Sequence, residues 1–574
     1  MERDRPLDAA GPPCGAAPVI ARAIFLVLLA CPLRAQQPSA PDARRLFENE
    51  RWAEVIALTE ATSQKPASAD LEYFYGVALA HLDRLEDAHR ALLAGSRLQP
   101  RDKRFPIELA GVAFRQKSYP RAAACLRRAL RLDPHDTYAA EFLATVYFLE
   151  GNLEAATKYW NRSGRPVIAA VRTPAGLRVN PELLNRSMAF SPAAVLRADD
   201  LPATEARLQA LEIFPGFRLD LDARPDGTFD ASLRARELNR LGGGKLEVAA
   251  GLLSGLPYQE VTPEYFNIDG EAINFTSLVR WDAEKRRARA ELSGPVRRNP
   301  IWRYRISADL RNENWDLRDS LTDAFPVLAS LNLRRAEAGA EITRLVGSRF
   351  SWTAGLRVAH REYRNTVAGG ALSPALLAAG YGLTQTDAIR YDLLRIPERR
   401  FTLTAEAGSE AGRIWSGAGQ AFGKLQSGLT SHWLPRARGD DYETTLKLRA
   451  GKTLGTPPFD ELFMLGLERD NDLALRGHAG TRRGRKGSAP LGKSYFLENW
   501  ETDKNIYGNG IVTFKLGPFL DTGRIGGALF RDNNQWLCDA GAQAKVSVLG
   551  TGVVFSWGRD LRSGRNVFYA RTGR

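Results

Sequence analysis

The chain has 574 residues, which is more than one compact core usually organises, so several domains are expected. Hydrophobic residues make up 44% and charged residues 25% of the chain, which is ordinary for a folded protein. No apolar stretch approaches the roughly 20 residues of a spanning helix, so an α-helical membrane protein is excluded. The net charge of +14 favours acidic neighbours such as lipid headgroups or acidic client polypeptides. Because this charge is spread along a chain whose N-terminus indicates export, we expect no nucleic acid partner.

The chain begins with a predicted signal peptide, residues 1–35. Arg22 precedes the apolar run 23–30, and Ala35 before two glutamines provides a cleavage site. A short apolar run behind a positive charge is typical of an export signal and not of a membrane span. The segment before Arg22 is long for a signal, which leaves a downstream start open. The four residues that end at Cys31 also resemble a lipoprotein cleavage box, so lipidation of Cys31 stays an alternative.

Cysteine and histidine spacing predicts neither a disulfide framework nor a metal site. The four cysteines contain no CxxC pair, and two of them lie in or before the signal. The six histidines show no spacing typical of metal ligands. We therefore expect no metal and no cofactor.

A 34-residue period runs through the predicted arm, residues 41–163. The run Leu98–Asp102 recurs as Leu132–Asp136, each with a proline that ends a helix. Small residues at fixed places allow two helices to approach closely. This pattern resembles the tetratricopeptide repeat and implies an all-α solenoid. The positions that keep the step are Gly76, Ala110 and Ala144; Ala88, Ala122 and Ala156; and Leu92, Leu126 and Trp160.

The repeat resemblance implies a concave surface that binds a peptide or a partner protein. A spacer or a structural cap on the next domain is the alternative. Two repeats carry the full pattern, from about Asp70 to Asp136, and a third, Thr137 to Ser163, lacks the closing proline. A degenerate first unit lies around Ala43 to Ser63.

Residues 165–240 predict a small α+β module. Asp199 and Asp200 can cap a helix over 201–211, with a proline in its first turn. Two alternating segments, 217–223 and 229–235, flank a Pro-Asp-Gly turn and predict a hairpin. This run resembles the later part of a POTRA domain, the periplasmic module of the BamA-like surface-antigen superfamily. The resemblance implies client binding by strand addition to a sheet edge; a rigid plug or linker is the alternative.

From about Gly244 to Arg574 the hydrophobic pattern has a period of two. Alternation alone is also typical of a soluble sandwich. Export, strands about ten residues long and aromatic residues near strand ends favour an antiparallel transmembrane β-barrel of about sixteen strands. Apolar side chains would face lipid and polar side chains the lumen. The clearest runs are 302–311, 350–358, 401–407 and 442–450.

Two motifs near the C-terminus carry the family resemblance. Leu475, Arg476, Gly477 and His478 resemble the superfamily's (V/L)RG(Y/F) motif at the tip of a loop that folds back into the barrel. Phe519, Asp521 and Gly523 resemble its F-x-D-x-G strand motif. The resemblance implies that Arg476 pairs with Asp521 in the lumen, where an arginine needs a partner and a carboxylate accepts two of its donors. It further implies close backbone approach at both glycines. The alternative places the two motifs on separate surface loops.

The chain departs from the family pattern in three places. His478 replaces the usual aromatic residue, so local packing of the loop could differ. The glycine-rich and basic run Ala479–Lys493 is expected to be mobile and to face outward. The closing aromatic residues, Phe568 and Tyr569, are followed by five further residues.

The resemblance implies a protein that inserts or translocates polypeptides at the bacterial outer membrane, with its N-terminal domains in the periplasm. Its partners would be outer-membrane lipids and periplasmic or outer-membrane client polypeptides. The sequence shows no nucleophile with a base and no phosphate loop, so we do not expect an enzyme. A polysaccharide exporter with a repeat scaffold and a structural anchor are the alternatives.

Overall fold

A computed structural model describes ten segments of the chain. The chain divides into two compact units, Met1–Pro100 and Arg101–Arg574. The predicted signal and the start of the predicted barrel at Gly244 lie outside the described segments. Within these segments, no helix combines the length and apolar character needed to cross a membrane. The described segments are 40–61, 68–238, 259–319, 326–367, 372–415, 419–436, 441–508, 512–529, 535–548 and 551–573.

The first unit is helical in its described part. Helix α3 packs on helix α4, where a Cβ on Gly76 would lie 2.6 Å from Cγ of Leu92. Both positions belong to the 34-residue period, and a side chain on Gly76 would push the helices apart. The helices are α1 (Ala40–Glu48), α2 (Trp52–Ala61), α3 (Ala69–His81) and α4 (Leu85–Leu98).

The second unit begins with four more helices, which pack in two consecutive pairs. The periodic small residues Ala110, Ala122 and Ala144 are fully buried in one core. Asp136 caps α7, because its side chain accepts a hydrogen bond from the N–H of Ala139. Burial raises the pKa of Asp136, but this bond and a 2.6 Å contact with Lys103 Nζ leave that pKa below its usual value. The helices are α5 (Arg104–Arg115), α6 (Tyr119–Leu132), α7 (Thr137–Leu149) and α8 (Leu153–Trp160).

A three-stranded sheet with two helices follows. The strand order is β1-β3-β2, with β1 parallel and β2 antiparallel to β3. The hairpin has the predicted bounds, and the predicted helix begins one residue earlier and ends one residue earlier than expected. The elements are β1 (Ile168–Arg172), α9 (Pro181–Ser187), α10 (Asp200–Ala210), β2 (Phe217–Ala223) and β3 (Phe229–Ala235).

The module shares a core with the helices before it and contacts the sheet after it. Phe229 and Leu221 lie in the same buried cluster as the helices α5–α8. Asn274 of the large sheet donates a 2.9 Å hydrogen bond to the carbonyl of Leu211. The turn 397–399 of that sheet meets α8, where Lys158 lies 2.6 Å from Glu398.

The remaining strands form one closed barrel that is almost entirely antiparallel. The first strand β4 lies beside the last strand β22, and this contact closes the sheet. The first half comprises β4 (Glu260–Val261), β5 (Glu264–Ile268), β6 (Ile273–Trp281), β7 (Lys285–Val296), β8 (Asn299–Arg318), β9 (Val327–Val346), β10 (Phe350–Val367), β11 (Gly380–Ile396), β12 (Phe401–Trp415) and β13 (Gln420–Trp433). The second half comprises β14 (Tyr442–Gly455), β15 (Phe463–Met464), β16 (Thr481–Arg482), β17 (Arg485–Lys486), β18 (Leu491–Gly508), β19 (Val512–Ala528), β20 (Leu537–Val548), β21 (Thr551–Asp560) and β22 (Asn566–Gly573).

The strand number and the strand length both differ from the prediction. The described part of the barrel holds nineteen strands, of which fourteen have eight residues or more. Five of the nineteen are pieces of two to five residues, and three of these five, the same number as the surplus over sixteen, belong to a segment inserted between β14 and β18. The longest strands, β8 and β9, have 20 residues, about twice what a tilted strand needs to cross the hydrocarbon layer.

The alternating pattern places its apolar side chains outside, as predicted. On β8, Ile306 and Leu310 are 53% and 55% exposed, whereas Arg303 and Asp309 between and beside them are buried. On β10, Leu356 is 54% exposed. A soluble sandwich would bury these apolar side chains, so the barrel has the outer surface of a membrane-embedded one.

Candidate functional site

The segment between β14 and β18, residues 456–490, lies inside the barrel, and we call it the lumen segment. Its side chains contact inward-facing side chains of strands on opposite sides of the wall. Asp460 bonds Arg361 on β10, Asp470 bonds Arg311 on β8, and Arg476 bonds Asp521 on β19. A segment that reaches strands so far apart in the sheet must run through its interior.

Arg476 and Asp521 form a buried, doubly bonded ion pair. Arg476 donates from Nε to Oδ2 of Asp521 at 2.8 Å and from Nη2 to Oδ1 at 2.7 Å. Its backbone N–H donates to the same carboxylate at 2.9 Å. Asp521 is 0% exposed, so these donors replace the water that the charge would otherwise require.

Three further side chains complete the surroundings of this pair. Nη1 of Arg476 lies 2.9 Å from both Glu501 and Gln543, and Asn499 donates to Asp521 at 2.7 Å. Sequence reasoning missed all three. They occupy inward positions of β18 and β20, and only the pairing register brings them next to Arg476.

The remaining motif residues pack around the pair. The ring of Phe519 lies 3.7 Å from the Arg476 guanidinium carbon, a cation–π contact. Leu475 is fully buried in an apolar cluster. A Cβ on Gly477 would lie 2.6 Å from Cγ of Asp539, and one on Gly523 would lie 3.1 Å from Leu465. The structure therefore brings the two motifs together, and their functional role stays a prediction.

His478 contacts two carboxylates. Its Nδ1 lies 3.1 Å from Oδ2 of Asp539 on β20, and its Nε2 lies 3.7 Å from Oδ2 of Asp560 on β21. A phenylalanine at this position could make neither polar contact. The expectation of no metal site used local histidine spacing, which cannot detect ligands on separate strands.

A second ion-pair cluster holds the start of the lumen segment. Asp460 accepts hydrogen bonds from Arg361 at 2.8 Å, Arg335 at 2.9 Å and Tyr363 at 3.0 Å. Glu461 accepts one from Arg361 at 2.7 Å. Both acids follow Phe459, which packs edge-on against Trp315 of β8.

A third cluster corrects the expectation for the basic run Ala479–Lys493. Lys486 is buried and lies 2.8 Å from Glu313 and 2.6 Å from Asp470, and Ala489 is also buried. The prediction that this run faces outward is wrong for residues 486–492, which are buried, whereas Arg482, Arg483 and Lys493 are exposed. Carboxylates such as Glu313 and Asp316 on the wall pair with its cations, and Gly487 allows the backbone to approach Asp316 closely.

A cavity of about 1750 Å³ lies between the module and the barrel interior. Its lining extends from β2 of the module through the turn at Pro397 to Arg476 and Glu501. Arginine and lysine side chains slightly outnumber carboxylates along it. The cavity therefore connects the edge strand of the module with the Arg476–Asp521 pair.

A closed barrel with an apolar outer surface and an ion-paired interior defines the class of transmembrane β-barrels. No family model matches the sequence, and no curated protein matches it significantly.

Among solved structures, the chain is similar to BamA from Haemophilus ducreyi lacking POTRA domains 1–3. The identity is 11%, with 71% of this chain and 85% of that chain covered and a TM-score of 0.41. It is also similar to CdiB from Escherichia coli at 12% identity, with 71% and 76% covered and a TM-score of 0.47. CdiB from Acinetobacter baumannii has 11% identity, 70% and 73% coverage and a TM-score of 0.40.

Proposed function

We propose that this protein is a bacterial outer-membrane barrel that inserts or translocates polypeptides, with its helical arm and α+β module in the periplasm. The observation that carries the proposal is the buried pair of Arg476 and Asp521, which holds a folded segment inside a closed barrel. A simple pore has no need for such a segment. A barrel that must change between a sealed and an open state needs a segment of this kind.

The α+β module supports a site for extended clients. Its β-α-α-β-β order and its sheet order leave β2 at one edge. Phe217 and Asp220 of that strand line the cavity that leads to Arg476. A client strand added to β2 would gain main-chain hydrogen bonds and lie next to the barrel entrance.

The proposed work is mechanical and not chemical. Opening the lumen requires the lumen segment to leave its three ion-pair clusters, those of Arg476, Asp460 and Lys486. Burial of the charged groups in a cluster costs little free energy only while every group keeps its hydrogen-bond partners. The segment therefore has one packed arrangement and resists partial displacement, which suits a barrel that opens only on a client.

Insertion by proteoliposomes tests the proposal. The full chain is reconstituted, a urea-denatured small barrel protein is added, and its folding is followed by the band shift of unheated samples on gels. We expect faster folding than in empty liposomes and a lower rate with Asp521→Asn liposomes. Equal folding rates in liposomes with and without the chain would overturn insertion. Translocation would be overturned if liposomes with and without the chain protected an exported client equally from added protease.

Photocrosslinking distinguishes this function from that of a polysaccharide exporter or an anchor. A photoreactive residue at Asp222 on β2 should capture the denatured client. The same residue at Asp226, in the turn after β2, is the matched control and should capture less. Equal capture at both positions would contradict docking on β2.

A further inference from the structure

Two basic side chains of β14 line the cavity between the module and the barrel interior without a carboxylate partner. Lys447 is exposed there and makes no ion pair with any described residue. Arg449 donates from Nη1 to the backbone oxygen of Asp472 at 2.8 Å and from Nη2 to Oδ1 of Asn499 at 2.7 Å. Both acceptors are neutral, so the positive charge of Arg449 is also left without an ion pair in the part of the chain that is described.

Other cations of the cavity already have carboxylate partners of their own. Each of these has a carboxylate oxygen within 3.2 Å, and they are Arg218, Arg395, Arg476, Lys545 and Arg571. Arg390 on β11 is less engaged, because it is 63% exposed and lies 4.0 Å from Glu406. Positive charge that is available to a ligand therefore lies on one side of the wall, at Arg390, Lys447 and Arg449.

The neighbouring positions on the wall leave these cations uncovered. On β13, Thr430 lies opposite Lys447 and Gly428 lies opposite Arg449. Neither residue brings a charge, and Gly428 brings no side chain. An anionic group in the cavity can therefore approach both cations from the lumen.

The spacing of the two cations on β14 fits an extended polypeptide. Lys447 and Arg449 are alternate residues of one strand, so they share a face and lie about 7 Å apart. Alternate side chains of an extended client have the same spacing. The edge strand β2, which contributes Phe217 and Asp220 to the same cavity, offers such a client main-chain hydrogen bonds. A polysaccharide lacks the matching row of N–H and C=O groups.

We propose that the cavity binds an acidic, extended client segment whose alternate carboxylates contact Lys447 and Arg449. Arg390 adds to the attraction from the neighbouring part of the wall. Carboxylates form charge-assisted hydrogen bonds with both kinds of cation, which neutral side chains cannot replace. This inference rests on the proposed function and names the class of client, a polypeptide with an acidic stretch.

Peptide binding tests the inference without any need for insertion activity. The full chain in neutral detergent is titrated into a fluorescein-labelled peptide of alternating glutamate and threonine, and the anisotropy is followed. We expect binding that weakens as salt is added, and no binding of a peptide of alternating glutamine and threonine. Lys447→Gln should weaken binding by about fivefold, and Lys447→Gln with Arg390→Gln by about tenfold or more. Arg449 is left unchanged because it also holds the lumen segment.

Lys452→Gln is the matched control. Lys452 is an exposed lysine of the same strand, an odd number of residues from Lys447 and therefore on the opposite face, and it does not line the cavity. Both variants lose one positive charge, and only Lys447→Gln should weaken binding. If Lys447→Gln misfolds, as seen in the gel shift, Arg390→Gln alone takes its place.

No binding of the acidic peptide, or equal affinities of Lys447→Gln and Lys452→Gln, would overturn the inference even if the reconstituted chain inserts clients. The expected binding by a chain that inserts and translocates nothing would count against the proposed function alone. Polygalacturonate, an anionic polysaccharide, should displace the labelled peptide less well than the unlabelled peptide does. Better displacement by polygalacturonate would overturn the choice of a polypeptide.

Discussion

The buried pair of Arg476 and Asp521 is the clearest case in which single residues determine the arrangement of the interior. Asp521 accepts three hydrogen bonds from Arg476 and one from Asn499. Removal of either charge leaves the other buried without its partner, which costs more than the pair contributes in total. The loss of unfolding free energy in each single variant should therefore greatly exceed the contribution of that residue to the stability of the intact barrel.

A double-mutant cycle measures this coupling. Arg476→Ala and Asp521→Ala should each lower the free energy of unfolding by about 3–5 kcal/mol, and the double variant by much less than their sum. Urea unfolding in liposomes, followed by tryptophan fluorescence, provides the midpoints.

An exposed pair on the same barrel provides the control for that cycle. Arg364 and Glu362 lie 2.6 Å apart with both side chains well exposed. Arg364→Ala should change the free energy of unfolding by about 0–1 kcal/mol. Additive losses for Arg476 and Asp521 would contradict a coupled pair.

At the scale of elements, the lumen segment behaves as a folded insert and not as a loose loop. Its three ion-pair clusters lie along its length, at Asp460, at Asp470 with Lys486, and at Arg476. Between Asp460 and Asp470, Leu462 and Met464 share a buried apolar cluster with side chains of β8 and β9. The inner wall therefore presents both apolar and charged side chains to the segment.

Loss of the first cluster should release the segment. Asp460→Ala leaves Arg361, which is buried, and Arg335 without a major partner, so we expect the segment to detach from β9 and β10. Limited trypsin digestion of the reconstituted protein should then cut faster in the basic run around Arg482 and Arg485. Mass spectrometry of the fragments locates the cuts.

Asp472→Ala is the matched control for this release. Asp472 lies in the same segment, its side chain is 85% exposed, and it contacts Arg571 at 3.2 Å. Its loss should leave the cleavage rate unchanged. Equal acceleration in both variants would mean that Asp460 does not anchor the segment.

At the scale of the whole molecule, the barrel is inverted relative to a soluble domain. Apolar side chains such as Leu356 and Ile306 cover the outside, and arginines with their carboxylates fill the interior. A charge on the outer surface would lie in hydrocarbon, where it costs about 2–4 kcal/mol near the bilayer midplane.

Leu356→Arg should therefore lower barrel stability by about 2–4 kcal/mol and reduce the fraction that folds into liposomes. The same change at Leu149, a similarly exposed residue of α7, should have little effect, because α7 belongs to the water-soluble arm in our proposal. Urea midpoints and the gel shift measure both. Equal effects would contradict a lipid-facing surface at Leu356.

Local signals in the sequence were sufficient for the hairpin of the module and for the small residues of the helical repeat. Alternation at 217–223 and 229–235 located both strands of the hairpin, because the two faces of a half-buried strand appear in the sequence as alternating apolar and polar residues. The step of 34 residues marked Ala110, Ala122 and Ala144, all buried, because close helix packing requires small side chains.

The path of the basic run could not be read in the same way. The basic run that contains Gly484 and Lys486 has the composition of a solvent-exposed loop. Only the contacts of these two residues with the barrel wall show that they lie inside. Glu313 and Asp470 neutralise Lys486, although they lie 173 and 16 residues away in the chain. No local pattern contains that information.

The sequence by itself determined that the C-terminal half alternates with a period of two and that Arg476 and Asp521 are candidates for a pair. Only the tertiary structure decided that the sheet closes, which face is outside and which strands meet the lumen segment. Periodicity depends on neighbouring residues, whereas closure and ion pairing depend on register across the whole sheet. The same register brings His478 to Asp539 and Asp560, residues that no spacing in the chain connects.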